Sequence, residues 1–187
     1  MVISMIDLLE LEKSFLIPHI KPGMTAVDYT MGNGHDTEFL SKAAGPDGTV
    51  FAFDIQPQAV NSTADHLLSA NCPQNYRLIC ASHHRVKEFV HGPVKVGLFN
   101  LGYLPGGDKR ITTLRETTLG AVKAAIELMD TDAALLIAVY PGHAEGEIEG
   151  ELLTELFAGY SRYKYCIGKF RFCNSPASPY FFIIETK

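Results

Sequence analysis

Apolar positions follow two different periods along this chain. From Ser4 to His19, Met5, Leu8, Leu9, Phe15 and Leu16 fall near helical spacing. This predicts an amphipathic helix, which Pro22-Gly23 ends. Short apolar runs of strand length then recur at Thr25–Asp28, Thr49–Asp54, Tyr76–Cys80, Val94–Asn100 and Ala133–Tyr140. Helical stretches separate them, at His35–Ala44, Pro57–Ala70, Arg85–Val90, Thr112–Met129 and Glu145–Phe157. Strands alternating with helices imply an α/β fold with a mainly parallel sheet covered on both faces. The last two strands, Arg162–Phe172 and Tyr180–Thr186, have no helix between them and are expected to be antiparallel neighbours.

That ending separates two kinds of Rossmann-like chain. Dinucleotide-binding folds continue the alternation, whereas class I methyltransferases close with a reversed strand at the sheet edge. The expected architecture is therefore a Rossmann-like class I methyltransferase fold, a seven-stranded sheet in one domain over residues 1–187. Composition fits a globular chain, 47% hydrophobic and 20% charged. No apolar run reaches membrane-spanning length, and Asp7, Glu10 and Glu12 near the start do not fit a secretory signal. Cys72, Cys80, Cys166 and Cys173 lack metal-ligand spacing and read as reduced, buried thiols of a cytoplasmic protein. A net charge of −5 argues against coating nucleic acid through bulk charge but leaves room for a local basic patch.

The sharpest motif is Asp28-Tyr-Thr-Met-Gly32-Asn33-Gly34-His-Asp36-Thr37, between the first strand and its helix. Two glycines there let the backbone approach a ligand closely, and the helix N-terminus faces the crevice. Position 37, where a dinucleotide fingerprint has its third glycine, is Thr37. The acidic residue that opens the motif, Asp28, suits a cationic ligand. Asp54 lies twenty residues after Gly34, at the end of the second strand. A carboxylate there accepts hydrogen bonds from ribose hydroxyls. Together these features imply an adenosyl cofactor.

The fourth strand runs into Asn100-Leu-Gly102-Tyr103-Leu-Pro105-Gly-Gly-Asp108-Lys109. Asn-x-x-Tyr is similar to the Asn-Pro-Pro-Tyr motif of amino-methylating enzymes. An amide oxygen would align the lone pair of an acceptor nitrogen, and an aromatic ring would cover it. The nitrogen must be unprotonated, so Asp108 is a candidate proton acceptor. Gly106-Gly107 fits either a mobile lid or a plain surface loop.

Weaker features leave alternatives open. Ser82-His83-His84 follows the third strand, as a cofactor contact or a solvated loop, and without a third ligand no metal is expected. His143 in Pro141-Gly142-His143 fits an acceptor pocket or a turn. Glu145, Glu147, Glu149 and Glu151 are expected to favour a helix N-terminus and to face water. Arg162, Lys164, Lys169 and Arg171 alternate along a predicted strand, as a soluble edge or a phosphate-contacting face that Lys109, Arg110 and Arg115 would extend.

The stretches DYTMGNGHDT (28–37), FDIQ (53–56), NLGYLPGGDK (100–109) and PGH (141–143) resemble small bacterial methyltransferases long called rRNA methylases. Members of that family are assigned to the tRNA wobble position, where they methylate the aminomethyl group of 5-aminomethyl-2-thiouridine. The resemblance covers nearly the whole chain. It implies S-adenosylmethionine as cofactor and tRNA as partner, with rRNA the alternative, and it leaves monomer and homodimer open. By position it implies that Asn33, Asp36, Thr37, Asp54 and Gln56 hold the cofactor, with Ser82 and His83 near its adenosine. Asn100, Gly102 and Tyr103 would line the transfer centre.

Overall fold

The structure, a computed structural model, describes residues 7–142 and 144–187. The first helix, α1 (Leu8–Leu16), starts where the Asp7 carboxylate accepts the Leu9 N–H at 2.9 Å. It passes into a short 3-10 turn at Ile17–His19. The expected start at Ser4 lies outside the described residues. Then follow β1 (Thr25–Asp28), α2 (His35–Ala44), β2 (Thr49–Asp54), α3 (Pro57–Ser69) and β3 (Tyr76–Cys80). A second 3-10 turn, His83–Glu88, leads to β4 (Val94–Leu101). The chain ends with α4 (Arg115–Leu128), β5 (Met129–Val139), α5 (Ala144–Ala158), β6 (Tyr165–Phe170) and β7 (Tyr180–Thr186).

The strands form one seven-stranded sheet in the order β3-β2-β1-β4-β5-β7-β6. Neighbours from β3 through β5 are parallel, and β7 runs antiparallel to both β5 and β6. The reversed strand is therefore not at the edge, as the element order suggests, but inserted between β5 and β6. Burial explains this. Tyr180 to Ile184 are buried on both faces, while β6 exposes Cys166, Gly168 and Lys169 and takes the edge.

Two apolar layers flank the sheet. On one face Leu135, Ile137 and Val139 of β5 meet α4 and α5 residues such as Val122 and Leu153. On the other, the smaller Ala134 and Ala138 with Leu136 leave room for Leu16 and Leu40 of α1 and α2. Helix α3 packs beside α2 over β2 and β3. Gly97 on β4 has a packing reason. An added Cβ would come within 2.7 Å of Leu135 and 3.1 Å of Tyr29, whose ring stacks on Phe99 at 4.1 Å.

Several boundaries moved for tertiary reasons. Helix α4 starts at Arg115 rather than Thr112, because Thr112 bridges Tyr103 and the Thr113 N–H donates to the Gly102 carbonyl. Strand β5 starts at Met129 because that residue pairs with Val94 across a register shift. Only Lys169 of the four C-terminal basic residues lies within β6; Arg162 and Lys164 precede it and Arg171 follows it. They form no single strand face, and Lys169 lies over the Tyr180 ring at 4.5 Å. The cysteines are free, and Cys80, Cys166 and Cys173 are exposed rather than buried. Glu149 does not face water: it is 1% exposed and accepts the hydroxyls of Thr113 at 2.9 Å and Thr118 at 2.5 Å.

Candidate active site

Strand β1 has β2 on one side and β4 on the other, and the connections after β1 and β4 leave on opposite faces. Such a switch point opens a crevice at the carboxyl ends of the strands. A cleft of about 960 Å³ lies there, walled by the loops after β1, β2, β3, β4 and β5 and by α1.

The loop after β1 is built from beneath. Met31 donates its N–H to the Phe53 carbonyl at 2.9 Å, and Gly34 closes a turn onto Met31 at 2.8 Å. Gly34 has φ of 89° and packs 3.0–3.1 Å from Thr63, measured from where a Cβ would stand, so no larger residue fits. Asp28 is fully buried and accepts the Thr30 N–H at 3.1 Å and the Thr37 hydroxyl at 2.6 Å. Burial, with Asp36 second, pushes its carboxyl up to about 7. Asp28, Gly34 and Thr37 were expected to touch the cofactor. They do not line the cleft but hold the loop's shape.

Gly32, Asn33, Asp36, Asp54 and Gln56 do line it. Asp54 accepts the N–H of Gly32 at 3.3 Å on one oxygen and that of Gln56 at 2.9 Å on the other. Burial raises this carboxyl above its usual range, against the backbone hydrogen bonds from Gln56, Gly32 and Ile55. Asn33 donates to the Pro105 carbonyl at 3.3 Å, joining this loop to the one after β4.

Ser82 and His83 also line the cleft. His83 is 8% exposed, and burial lowers its imidazolium to about 4, so the ring is neutral at pH 7. Its Nδ1 lies 3.3 Å from the Tyr29 carbonyl, which only an N–H can satisfy. Nε2 is then a buried acceptor with no partner among the described residues.

Asn100 stands at the end of β4 in the cleft wall. Its backbone N–H donates to the Thr30 hydroxyl at 2.7 Å. Its side-chain Nδ2 donates to Asp36 at 2.7 Å, and its Oδ1 accepts the Tyr140 hydroxyl at 3.3 Å. Gly102 and Tyr103 line the same wall, and Tyr103 is 41% exposed. The excursion from Gly102 to Thr113 is pinned at its neck by the Thr113–Gly102 hydrogen bond and the Tyr103–Thr112 bridge.

Asp108 is displaced from the role expected of it. It lies outside the cleft lining, and Arg110 binds both its oxygens and holds its carboxyl below the usual range. Arg110 is exposed, and Lys109 lies over the Tyr103 ring at 5.4 Å; neither lines the cleft. His143 lies outside the described residues. Sequence reasoning missed Thr30, Lys13 and Tyr140. The signal for Lys13 was its helical spacing from Leu9 and Leu16, since Leu9 and Lys13 both line the cleft. Among the described residues His35, Glu38 and His66 converge as a potential metal-ligand set that the sequence reading did not foresee. Both Glu38 oxygens are already engaged, one by Lys42 at 2.7 Å and one by His66 at 2.6 Å.

The sheet order, the reversed β7 and the cleft at the β1/β4 switch point define a methyltransferase of the Rossmann-like class. Residues 50–185 match the family described as "Putative rRNA methylase", and the chain belongs to that family. A crystal structure from Clostridium thermocellum, described as a "putative rRNA-methylase", superposes with a TM-score of 0.94 at 34% identity, covering 99% of this chain and 100% of that one. A Streptococcus mutans protein described as "a putative methyltransferase" and solved with S-adenosylhomocysteine gives 0.89 at 31% identity, covering 98% and 100%. The Arabidopsis thaliana chloroplastic tRNA (mnm(5)s(2)U34)-methyltransferase is 35% identical over 170 residues, 86% of this chain. The chain spans 62% of that relative's length.

Proposed function

We propose that this chain is a single-domain, S-adenosylmethionine-dependent RNA methyltransferase of the cytoplasm. Its acceptor is the aminomethyl group of 5-aminomethyl-2-thiouridine at the tRNA wobble position. The observation that carries this reading is the Asn100 amide, held in the cleft wall by Asp36 and Tyr140, in a cleft that Tyr103 also lines. The Arabidopsis relative named for this wobble nucleoside supports the acceptor, and the S. mutans structure with its bound S-adenosylhomocysteine supports the cofactor.

The residues fit the cofactor. Asp54 offers its carboxylate to ribose hydroxyls, and the His83 Nε2 offers an acceptor to an exocyclic amine. Asp36 supplies negative charge near a sulfonium and an ammonium. S-adenosylmethionine, when bound, supplies an electrophilic methyl group. Asn100 accepts a hydrogen bond from the amine and aims its lone pair along the line of attack. Tyr103 stacks on the base, and the closed neck of its loop keeps the ring at the cleft mouth. Lys109 and Arg110, exposed beside it, contact RNA phosphates.

An alkylammonium has no lone pair, so the neutral amine reacts and the rate rises with pH until the bound amine is deprotonated. The test is a single-turnover assay with tRNA carrying the aminomethyl group, beside unmodified tRNA and rRNA. Methylation of the aminomethyl tRNA alone is expected. The family description favours one rival, an rRNA acceptor on the same fold. Methylation of rRNA but not of the aminomethyl tRNA would establish that rival instead.

A further inference from the structure

The Asn100 amide is held by two side chains from outside its own strand, one of them braced by a third. Asp36 of α2 accepts from its Nδ2 at 2.7 Å, and Tyr140, which follows β5, donates to its Oδ1 at 3.3 Å. Lys13 of α1, which lines the same cleft, pairs with the second Asp36 oxygen at 3.1 Å. An amide is nearly symmetric in shape, so only hydrogen bonding decides which end faces where. Turned over, Asn100 would place its carbonyl oxygen against the Asp36 carboxylate, a repulsion between two acceptors. The observed orientation leaves Oδ1 with one lone pair for Tyr140 and one for the cleft.

Three carboxylates gather at this corner. Burial first and Asp36 second raise both Glu12 and Asp28, and Lys13 lowers Glu12 in part. Burial pushes the Tyr140 hydroxyl up to about 12, so it stays protonated and can only donate to the amide oxygen at neutral pH.

We propose that Lys13, Asp36 and Tyr140 lock the Asn100 amide with its oxygen toward the acceptor, which makes Tyr140 and Lys13 positioning residues. The consequence is selectivity for an acceptor that carries both an N–H and a lone pair. A cleft presenting the amide N–H instead would donate to that lone pair and occupy the electrons needed for attack. This inference rests on the reading of Asn100 as the group that aligns the acceptor.

The experiment measures single-turnover transfer to the aminomethyl tRNA at saturating S-adenosylmethionine, with S-adenosylhomocysteine affinity measured by calorimetry. Tyr140→Phe keeps the ring and its packing, and thermal melts check folding. Tyr140→Phe and Lys13→Met are each expected to slow transfer about 10- to 100-fold with affinity for S-adenosylhomocysteine changed less than about threefold. Lys13→Arg should restore most of the rate. The decisive variant is Asn100→Ala/Tyr140→Phe, which should be no slower than Asn100→Ala alone, because Tyr140 acts through the amide. If the two losses multiply, or if Tyr140→Phe transfers at the wild-type rate while Asn100→Ala is slow, the positioning role is overturned. If Asn100→Ala itself transfers at the wild-type rate, the alignment reading beneath it falls as well.

Discussion

The Thr37 hydroxyl donates a 2.6 Å hydrogen bond to the fully buried carboxylate of Asp28, nine residues earlier, beneath the loop that borders the cleft. The pair closes the turn in which Gly32 and Gly34 take positive φ. Thr37→Val keeps the shape and removes the donor, leaving a buried acceptor short of one partner. The expected loss is about 1–3 kcal/mol of unfolding free energy, read from urea denaturation. An unchanged midpoint would show that Thr30 alone suffices.

Glu12 is 5% exposed on α1, and burial chiefly, with Asp36 second, raises its carboxyl from 4.5 to about 7. Asp28 is raised by the same two causes, from 3.8 to about 7. Across the interval between those values the native state holds more protons than the unfolded chain. Stability is therefore greatest below about pH 4, as far as these two groups decide it, and falls as pH rises to about 7. Glu12→Gln removes one of the two charges. It should flatten the fall and gain up to ~3 kcal/mol over wild type at pH 8, an upper figure taken from ~1.4 kcal/mol per pH unit. Parallel stability curves for the two proteins from pH 5 to 8 would refute this.

Asp54→Ala removes the acceptors at the end of β2 and also frees the Gly32 and Gln56 N–H groups. Binding of S-adenosylhomocysteine should weaken by about 1.5–3 kcal/mol, the value of hydrogen bonds to a charged group. Calorimetry at matched pH decides it. Retained affinity, or tight binding of NAD by the wild type, would remove Asp54 from the cofactor site.

His83 should stay neutral and Nδ1-protonated throughout pH 5.5–8, since burial holds its imidazolium near 4. Ring-nitrogen NMR reports tautomer and titration directly. A midpoint near 6.5 would mean that the ring is solvated and that its Nε2 is no buried acceptor.

The sequence by itself determined the local structure and much of the cleft's border. Strands Thr25–Asp28, Thr49–Asp54, Tyr76–Cys80 and Tyr180–Thr186 and helix His35–Ala44 lie where hydrophobic period and turn residues put them. Glycine chemistry and spacing likewise marked Gly32, Asn33, Asp36 and Asp54, which do border the cleft. These features are local: a period, a turn or a strand end is set by residues within a few positions.

Only the tertiary structure decided relations between distant positions. It put β7 inside the sheet, because Tyr180 to Ile184 bury both faces and β6 does not. It turned Asp28 and Glu149 from surface-seeking carboxylates into buried acceptors, because threonines from other elements came within reach. It tied Asp108 to Arg110 and took it out of the cleft. Asn100 could be recognised from the chain, but not what orients it. Asp36 stands 64 residues before it, Tyr140 40 residues after it, and Lys13 acts on it through Asp36. No period or spacing encodes such a meeting; the packing of α1 and α2 against the sheet brings it about.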